Sequence, residues 1–219
     1  MATDMASATS WHTVVPTALG ELTLVRDADA LLGLYFPNHW YRPDPVTFGP
    51  RRADGFDEAA GQLGEYLAGQ RREFDLALGP RGDGFQQRVW HLVRQVPYGD
   101  TVTYGALARS LGGDVTAKEI GAAVGRNPLC IVLPCHRVVG AAGKLTGYTG
   151  GLARKRHLLD LEKTGLPPWC CPRGAPAARW RADERPRRYG SGGADGLGHQ
   201  AMAVRGGAAG HAALSRRGR

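Results

Sequence analysis

The 219-residue chain has only four cysteines, Cys130, Cys135, Cys170 and Cys171. Neither their spacing nor that of the seven histidines forms a zinc-ligand pattern or a disulfide framework. A reduced compartment is therefore expected, with Cys135 as a free thiol and with no metal or cofactor. Runs of about 18 apolar residues are also missing, which argues against a spanning helix. The opening MATDMASATSWH has neither the basic flank nor the apolar centre of a secretion signal. The expectation is a cytoplasmic protein that does not engage a membrane. What is present is enough apolar residues, 42% of the chain, to close a real core.

The formal charge of +8 is unevenly spread. Residues 1–84 hold 7 Lys/Arg against 12 Asp/Glu, residues 85–169 hold 11 against 5, and residues 170–219 hold 10 against 3. An acidic first segment followed by a basic one points to a polyanionic partner for the second, although a basic patch alone is commonly just a solvated face.

Hydrophobic periodicity divides the chain in the same places. ELTLVR and LLGLYF, flanking the turn-forming DADA, read as a β-hairpin. EFDLAL, with Phe74, Leu76 and Leu78 alternating, reads as another strand. Between them Phe56, Ala59, Ala60, Leu63, Tyr66 and Leu67 recur at helical spacing, and YRPDPVTFGPRR forms a long loop. After Phe85 the period is helical. Phe85, Val89, Leu92, Val93 and Val96 share one face, and Tyr104, Leu107, Ala108 and Leu111 share the next, which Gly112 and Gly113 terminate. Thr116 and Glu119 match a capping box that opens a third helix. Two short helices around a glycine-containing turn, in a basic segment, form a helix-turn-helix pattern that non-DNA-binding proteins also use. Residues 170–219 are rich in Gly, Ala, Arg and Pro without apolar periodicity, so disorder is expected there.

Within IVLPCHRVVG, Cys135 is preceded by Pro134 and followed by His136 and Arg137. A lone buried cysteine is usually a small hydrophobe. Here a potential base and a fixed positive charge stand beside it. Lowering a thiol pKa by about two units takes roughly 2.7 kcal/mol, which one imidazole or helix N-terminus can supply. The dipeptide alone leaves the choice open, because adjacent side chains need not meet.

The ordered blocks FQQRVW, PYGDTVTYGALA, GRNP, IVLPCHRVVG and GYTGGLARKRHLLDLEK resemble the O6-alkylguanine-DNA alkyltransferases, the methylated-DNA–protein-cysteine methyltransferase family. Weaker similarity runs back through GEYLAGQRREFDLAL. The resemblance implies an α+β fold: an amino-terminal ribonuclease H-like α/β domain over residues 1–80, a winged helix-turn-helix-like catalytic domain over 84–169, and a basic tail over 170–219. It also implies a monomer that acts once on double-stranded DNA containing O6-alkylguanine, and possible action on O4-alkylthymine. On this reading Cys135 is the alkyl acceptor, His136 takes its proton through a water, Glu162 orients His136, and Asn127 ties the helix-turn-helix to the active-site loop. Arg137 is expected to be a structural ion-pair former and Cys130 a dispensable buried side chain. Tyr104 would rotate the target nucleotide's phosphate and donate its hydroxyl to the base. Tyr148 and the Thr149 backbone would close over guanine and donate to O6, while the Val138 and Cys135 carbonyls would read the exocyclic amine. Arg126 joins them as a DNA-binding candidate. Lys118 stands where the family often has a stacking arginine, and an ammonium does not stack as a guanidinium does. Glu119 beside it, as the capping residue, keeps a carboxylate near the DNA that could pair with either cation. Two alternatives remain at this point: a Cys-His hydrolase, and a non-catalytic lesion-binding relative.

Overall fold

A computed structural model describes residues 10–166. The tail, with Cys170 and Cys171, lies outside the described residues, as does the disorder expected of it.

Strands β1 (Trp11–Thr17), β2 (Gly20–Arg26) and β3 (Leu31–Tyr35) form an antiparallel sheet in that order. β2 and β3 are the expected hairpin. Asp27 closes it, its carboxylate accepting from the backbone N–H of Asp29 and Ala30. β1 was not foreseen, because Pro16 weakens WHTVVPT as a strand. It is tolerated here because β1 is an edge of the sheet, whose outer side carries one bridge, His12 to Arg51, away from Pro16.

The strand expected at EFDLAL does not form; a single bridge joins Leu31 and Leu78. The free edge of β3 is divided between two segments. Leu31 donates to the Ala77 carbonyl and accepts from Gly79, whereas Leu34 donates to the Pro128 carbonyl at 2.7 Å. The backbone of Asp75 is satisfied instead by the Gln62 side-chain amide, which donates to its carbonyl and accepts from its N–H at 2.8 Å each. Phe74, Leu76 and Leu78 still pack against the core, so the alternation predicted facing but not pairing.

Helix α1 (Asp57–Leu67) presents Ala59, Leu63, Tyr66 and Leu67 inward. Helix α2 (Gly84–Arg94) starts at an Asp83–Gln86 capping box and buries Val89, Trp90 and Val93. The two-residue strand β4 (Val102–Thr103) leads into α3 (Tyr104–Leu111), capped by Thr103. α4 (Ala117–Gly125) follows with the expected Thr116–Glu119 box intact. Trp90 Nε1 donates to the Ala123 carbonyl at 2.9 Å, locking α4 onto α2. β4 pairs in parallel with β5 (Val138–Val139), and α5 (Leu152–Thr164) closes the molecule.

One continuous core joins sheet and helices, and Leu22, Leu24, Leu34, Leu63, Ile120 and Leu158 in it are fully buried, about 2 kcal/mol each. The architecture is therefore α+β, with an amino-terminal sheet and helix followed by a helix-turn-helix with a small two-stranded wing. The edge of β3 that carries Pro128 holds the start of the loop running to Cys135, so the sheet anchors the site.

Candidate active site

The loop between α4 and Cys135 has few options. Asn127, buried at the end of α4, donates from Nδ2 to the Leu133 carbonyl at 2.8 Å and accepts from the Leu129 N–H at 2.9 Å. It thus ties the end of α4 to the loop through backbone bonds. Ile131 has φ 74°, a left-handed conformation costly for a β-branched residue. That strained residue lies between Cys130 and Cys135, whose sulfurs come to 3.9 Å.

Cys135 lines a cavity with Trp40, Tyr104, Gly121, Tyr148 and Thr149. Its free space of about 40 Å³ holds a few waters but no purine, so a base enters only if lining groups move. Tyr104 opens α3 and lies over Gly121 of α4, where a Cβ would stand 3.8 Å from its ring. Lys118 and Arg126 are not part of this cluster. Lys118 is exposed on the first turn of α4, and Arg126 caps that helix with its guanidinium 4.8 Å from the Tyr41 ring centre. The Glu119 carboxylate turns back to the Thr116 backbone N–H and hydroxyl at 2.8 and 2.7 Å, the capping role expected of it.

His136 is completely buried. Its Nε2 lies 2.8 Å from Glu162 Oε1 and 3.3 Å from the Tyr66 hydroxyl. Its Nδ1 is buried with no hydrogen-bond partner among the described residues. Nε2 therefore carries the proton toward the carboxylate and Nδ1 is left as the base. Burial lowers the imidazole's pKa; Glu162 opposes that shift, and Arg137 and Lys155 add to it. Burial alone would raise the Glu162 carboxyl, but hydrogen bonds and charge from His136 and Arg137 hold it at about 2. Arg137 grips both carboxylate oxygens, from Nε at 3.1 and 3.0 Å and from Nη2 at 2.9 Å, which is the ion-pairing role expected of it. Glu162 is buried, not a helix-surface acid.

The Cys135 thiol is held below its ordinary value, first by a hydrogen bond from Cys130 and then by the Asn127 amide and the Lys155 charge, against burial. Cys130 is pushed up, chiefly by burial and by that same bond. Cys130 is buried, as expected, but not isolated: its Sγ also sits 3.0 Å from Thr149 Oγ1.

Two further residues escaped the sequence reading. Lys155, fully buried and with its pKa lowered to about 8 by desolvation, donates to the carbonyls of Val138 at 2.6 Å, Thr146 at 2.7 Å and Gly147 at 3.2 Å. It falls on one helical stripe with Leu158, Leu159 and Glu162, a signal that was present in RKRHLLDLEK. The Val138 carbonyl, expected to read a base, thus already accepts from Lys155, and a second lone pair remains. Tyr66 gave no signal beyond its place on an apolar helix face.

Two family models match the chain: "6-O-methylguanine DNA methyltransferase, ribonuclease-like domain" over residues 11–80 and "6-O-methylguanine DNA methyltransferase, DNA binding domain" over 84–164. A curated methylated-DNA–protein-cysteine methyltransferase of Mycobacterium bovis is 43% identical over 156 residues, covering 71% of this chain and 94% of the relative. One from Methanosarcina barkeri is 48% identical over 156 residues, covering 71% and 99%. The crystal structure of Mycobacterium tuberculosis OGT in complex with DNA superposes with a TM-score of 0.67 at 41% identity, covering 72% of this chain and 95% of that one.

Proposed function

Since this chain belongs to the methylated-DNA–protein-cysteine methyltransferase family, we propose that it repairs DNA by direct reversal, transferring the alkyl group of O6-alkylguanine to Cys135 in a single turnover. The observation that carries this reading is the Cys135 thiol lining a cavity, followed at once by a neutral buried imidazole whose outer nitrogen is braced by Glu162.

The steps balance without a further reactant. A water relays the thiol proton to His136 Nδ1, and the imidazolium that forms faces the Glu162 carboxylate. Cys135 Sγ attacks the alkyl carbon in line, forming the C–S bond as the C–O bond to O6 breaks. The electron pair passes into the purine, which takes a proton as it becomes guanine. The thioether is stable, so each molecule reacts once. Tyr104 donates its hydroxyl to the base, the Tyr148–Thr149 segment covers O6, and the Cys135 and Val138 carbonyls face the exocyclic amine.

Guanine O6 is shielded inside a duplex, so the nucleotide must leave the stack at a cost of a few kcal/mol, less for a damaged pair. α4 is the helix offered to the groove, with Lys118 and Arg126 on its exposed surface. We assign residues 1–80 to the amino-terminal domain, 84–169 to the DNA-binding and catalytic domain, and 170–219 to a basic tail. The protein works as a monomer in the cytoplasm, where thiols stay reduced. Among the described residues no helix is long and apolar enough to cross a membrane.

Intact mass spectrometry after mixing with a duplex that contains O6-methylguanine tests the proposal. The expected result is one methyl group per molecule, mapped to Cys135 and absent in Cys135→Ser. An unmodified protein that still binds the duplex would make it a lesion-binding protein, and a transient acyl adduct with ester substrates would make it a hydrolase.

A further inference from the structure

Glu162 is reached from the amino-terminal part of the chain. Tyr66 on α1, fully buried, donates its hydroxyl to Glu162 Oε1 at 2.5 Å across 96 residues of sequence. Its oxygen also stands 3.3 Å from His136 Nε2. The approach is built into the backbone: Gly69, just past α1, has φ 75°, and a Cβ there would come within 2.4 Å of the Gly165 carbonyl at the end of α5. The ends of α1 and α5 are thus pressed together without a side chain between them. Phe74 and Tyr98 hold the Tyr66 ring, their centroids 5.0 and 6.1 Å away.

Because the Tyr66 proton is spent on Glu162, its oxygen presents a lone pair to His136 Nε2. Nε2 therefore faces two acceptors, Glu162 Oε1 and the Tyr66 oxygen. The tautomer with its proton on Nδ1 would set three lone pairs against one another in a buried site. The other demands on the carboxylate are Arg137 on both oxygens and the Gly99 N–H on Oε2 at 3.0 Å. Each donor withdraws charge that would otherwise stabilise an imidazolium.

We propose that Tyr66 is a positioning residue for the transfer reaction: it locks His136 in the Nε2–H tautomer and shares Glu162 with it, so that Nδ1 is left to take the proton. The amino-terminal segment thereby completes the proton-relay network of the carboxy-terminal one. The inference rests on the alkyl-transfer reading of the site.

His136 is faced by Glu162 and Lys155 from α5, by Arg137 in its own turn, by Tyr66 from α1 and by the Tyr148 ring, with Cys135 preceding it. Two replacements at position 66 leave every one of the other groups in place and push in opposite directions. Tyr66→Phe removes a donor from Glu162, so the imidazolium is better stabilised and the acid limb of the pH–rate profile moves up. A shift of roughly half a pH unit would cut the rate about threefold on that limb. 3-Fluorotyrosine at the same position nearly keeps the volume but donates more strongly, so the limb moves down.

The readouts are the single-turnover pH profile with free O6-benzylguanine, which needs no DNA, and the ring nitrogen shifts of His136 by NMR. Opposed shifts, with Nδ1–H tautomer appearing in the Phe variant, are expected. Unchanged profiles and nitrogen shifts in both variants would reduce Tyr66 to a core residue and overturn the inference. If the Phe variant does not fold, the fluorinated protein decides alone. A wild-type protein that never reacts with O6-benzylguanine would count against the alkyl-transfer reading instead, and the nitrogen shifts would still judge the tautomer.

Discussion

The sulfur of Cys130 lies 3.9 Å from that of Cys135, and the Thr149 hydroxyl lies 3.0 Å beyond it. The hydroxyl, the inner thiol and the acceptor form a short chain that ends on the reactive sulfur. The burial that pushes the Cys130 thiol up keeps it protonated, so it can donate to Cys135 as that sulfur gives up its proton.

Cys130→Ala should therefore raise the Cys135 pKa and slow alkylation at neutral pH. An S–H group is a weak donor, so the effect is modest, about half a pKa unit and roughly threefold in thiolate fraction. Titrating the thiolate ultraviolet absorbance alongside the reaction with O6-benzylguanine checks this. Cys130→Ser, which retains a donor, should lie between the two. A pKa identical to wild type in Cys130→Ala would return Cys130 to the role of a small core side chain.

Glu162→Gln strikes at the ion pair. Arg137 is nearly buried and draws on both Glu162 oxygens, so a neutral amide leaves its charge uncompensated, at a cost of roughly 3 kcal/mol. Urea midpoints should fall accordingly, and the alkylation rate should fall with them because His136 loses its anionic partner. A variant as stable as wild type would mean that Arg137 finds its compensation elsewhere, such as the Val96 carbonyl it already reaches at 2.6 Å.

Lys118→Arg should speed repair in duplex DNA and leave reaction with free O6-benzylguanine unchanged. The gap left by a flipped base is filled better by a planar, weakly hydrated guanidinium than by an ammonium. Phosphate attraction is the same for both. The Glu119 carboxylate is committed to capping Thr116, so it does not hold the new side chain back. Single-turnover rates on both substrates decide; equal duplex rates would show that this position stays outside the stack.

Stability should decline on mild acidification. Burial, and then the Arg42 charge, lower the His39 pKa to about 4 from 6.5, and His136 is also lowered. A depressed histidine favours its neutral form. Its contribution is intact above pH 6.5 and is lost as pH falls toward the folded-state value, up to roughly 3 kcal/mol for His39. Glu162, held at about 2, contributes above its ordinary value of 4.5 and weakens only below that. Thermal midpoints should therefore begin to fall below pH 6.5, and His39→Gln should flatten the first part of that fall. A midpoint level down to pH 4.5 in the wild type would refute the His39 assignment.

By itself the sequence determined what depends on near neighbours. The β2–β3 hairpin, the inward faces of α1 to α3 and the Thr116–Glu119 cap all follow from residues within a few positions of one another, where spacing and local hydrogen bonds leave little choice. The block around Cys135 was legible for the same reason: its motif is contiguous, and its resemblance to a known family brought Glu162 and Asn127 with it. Tertiary structure alone decided the contacts between distant segments. The proline in WHTVVPT is harmless only because β1 is an edge, and EFDLAL meets β3 at a single bridge while the Gln62 side chain takes the backbone of Asp75. Tyr66 meets Glu162 from 96 residues away, Lys155 turns inward onto three backbone carbonyls, and Cys130 faces Cys135 across a loop in which Ile131 is left-handed. A local pattern states which side of an element is buried. Which buried polar group answers which is settled only when the whole core closes and excludes the water that would otherwise satisfy them all.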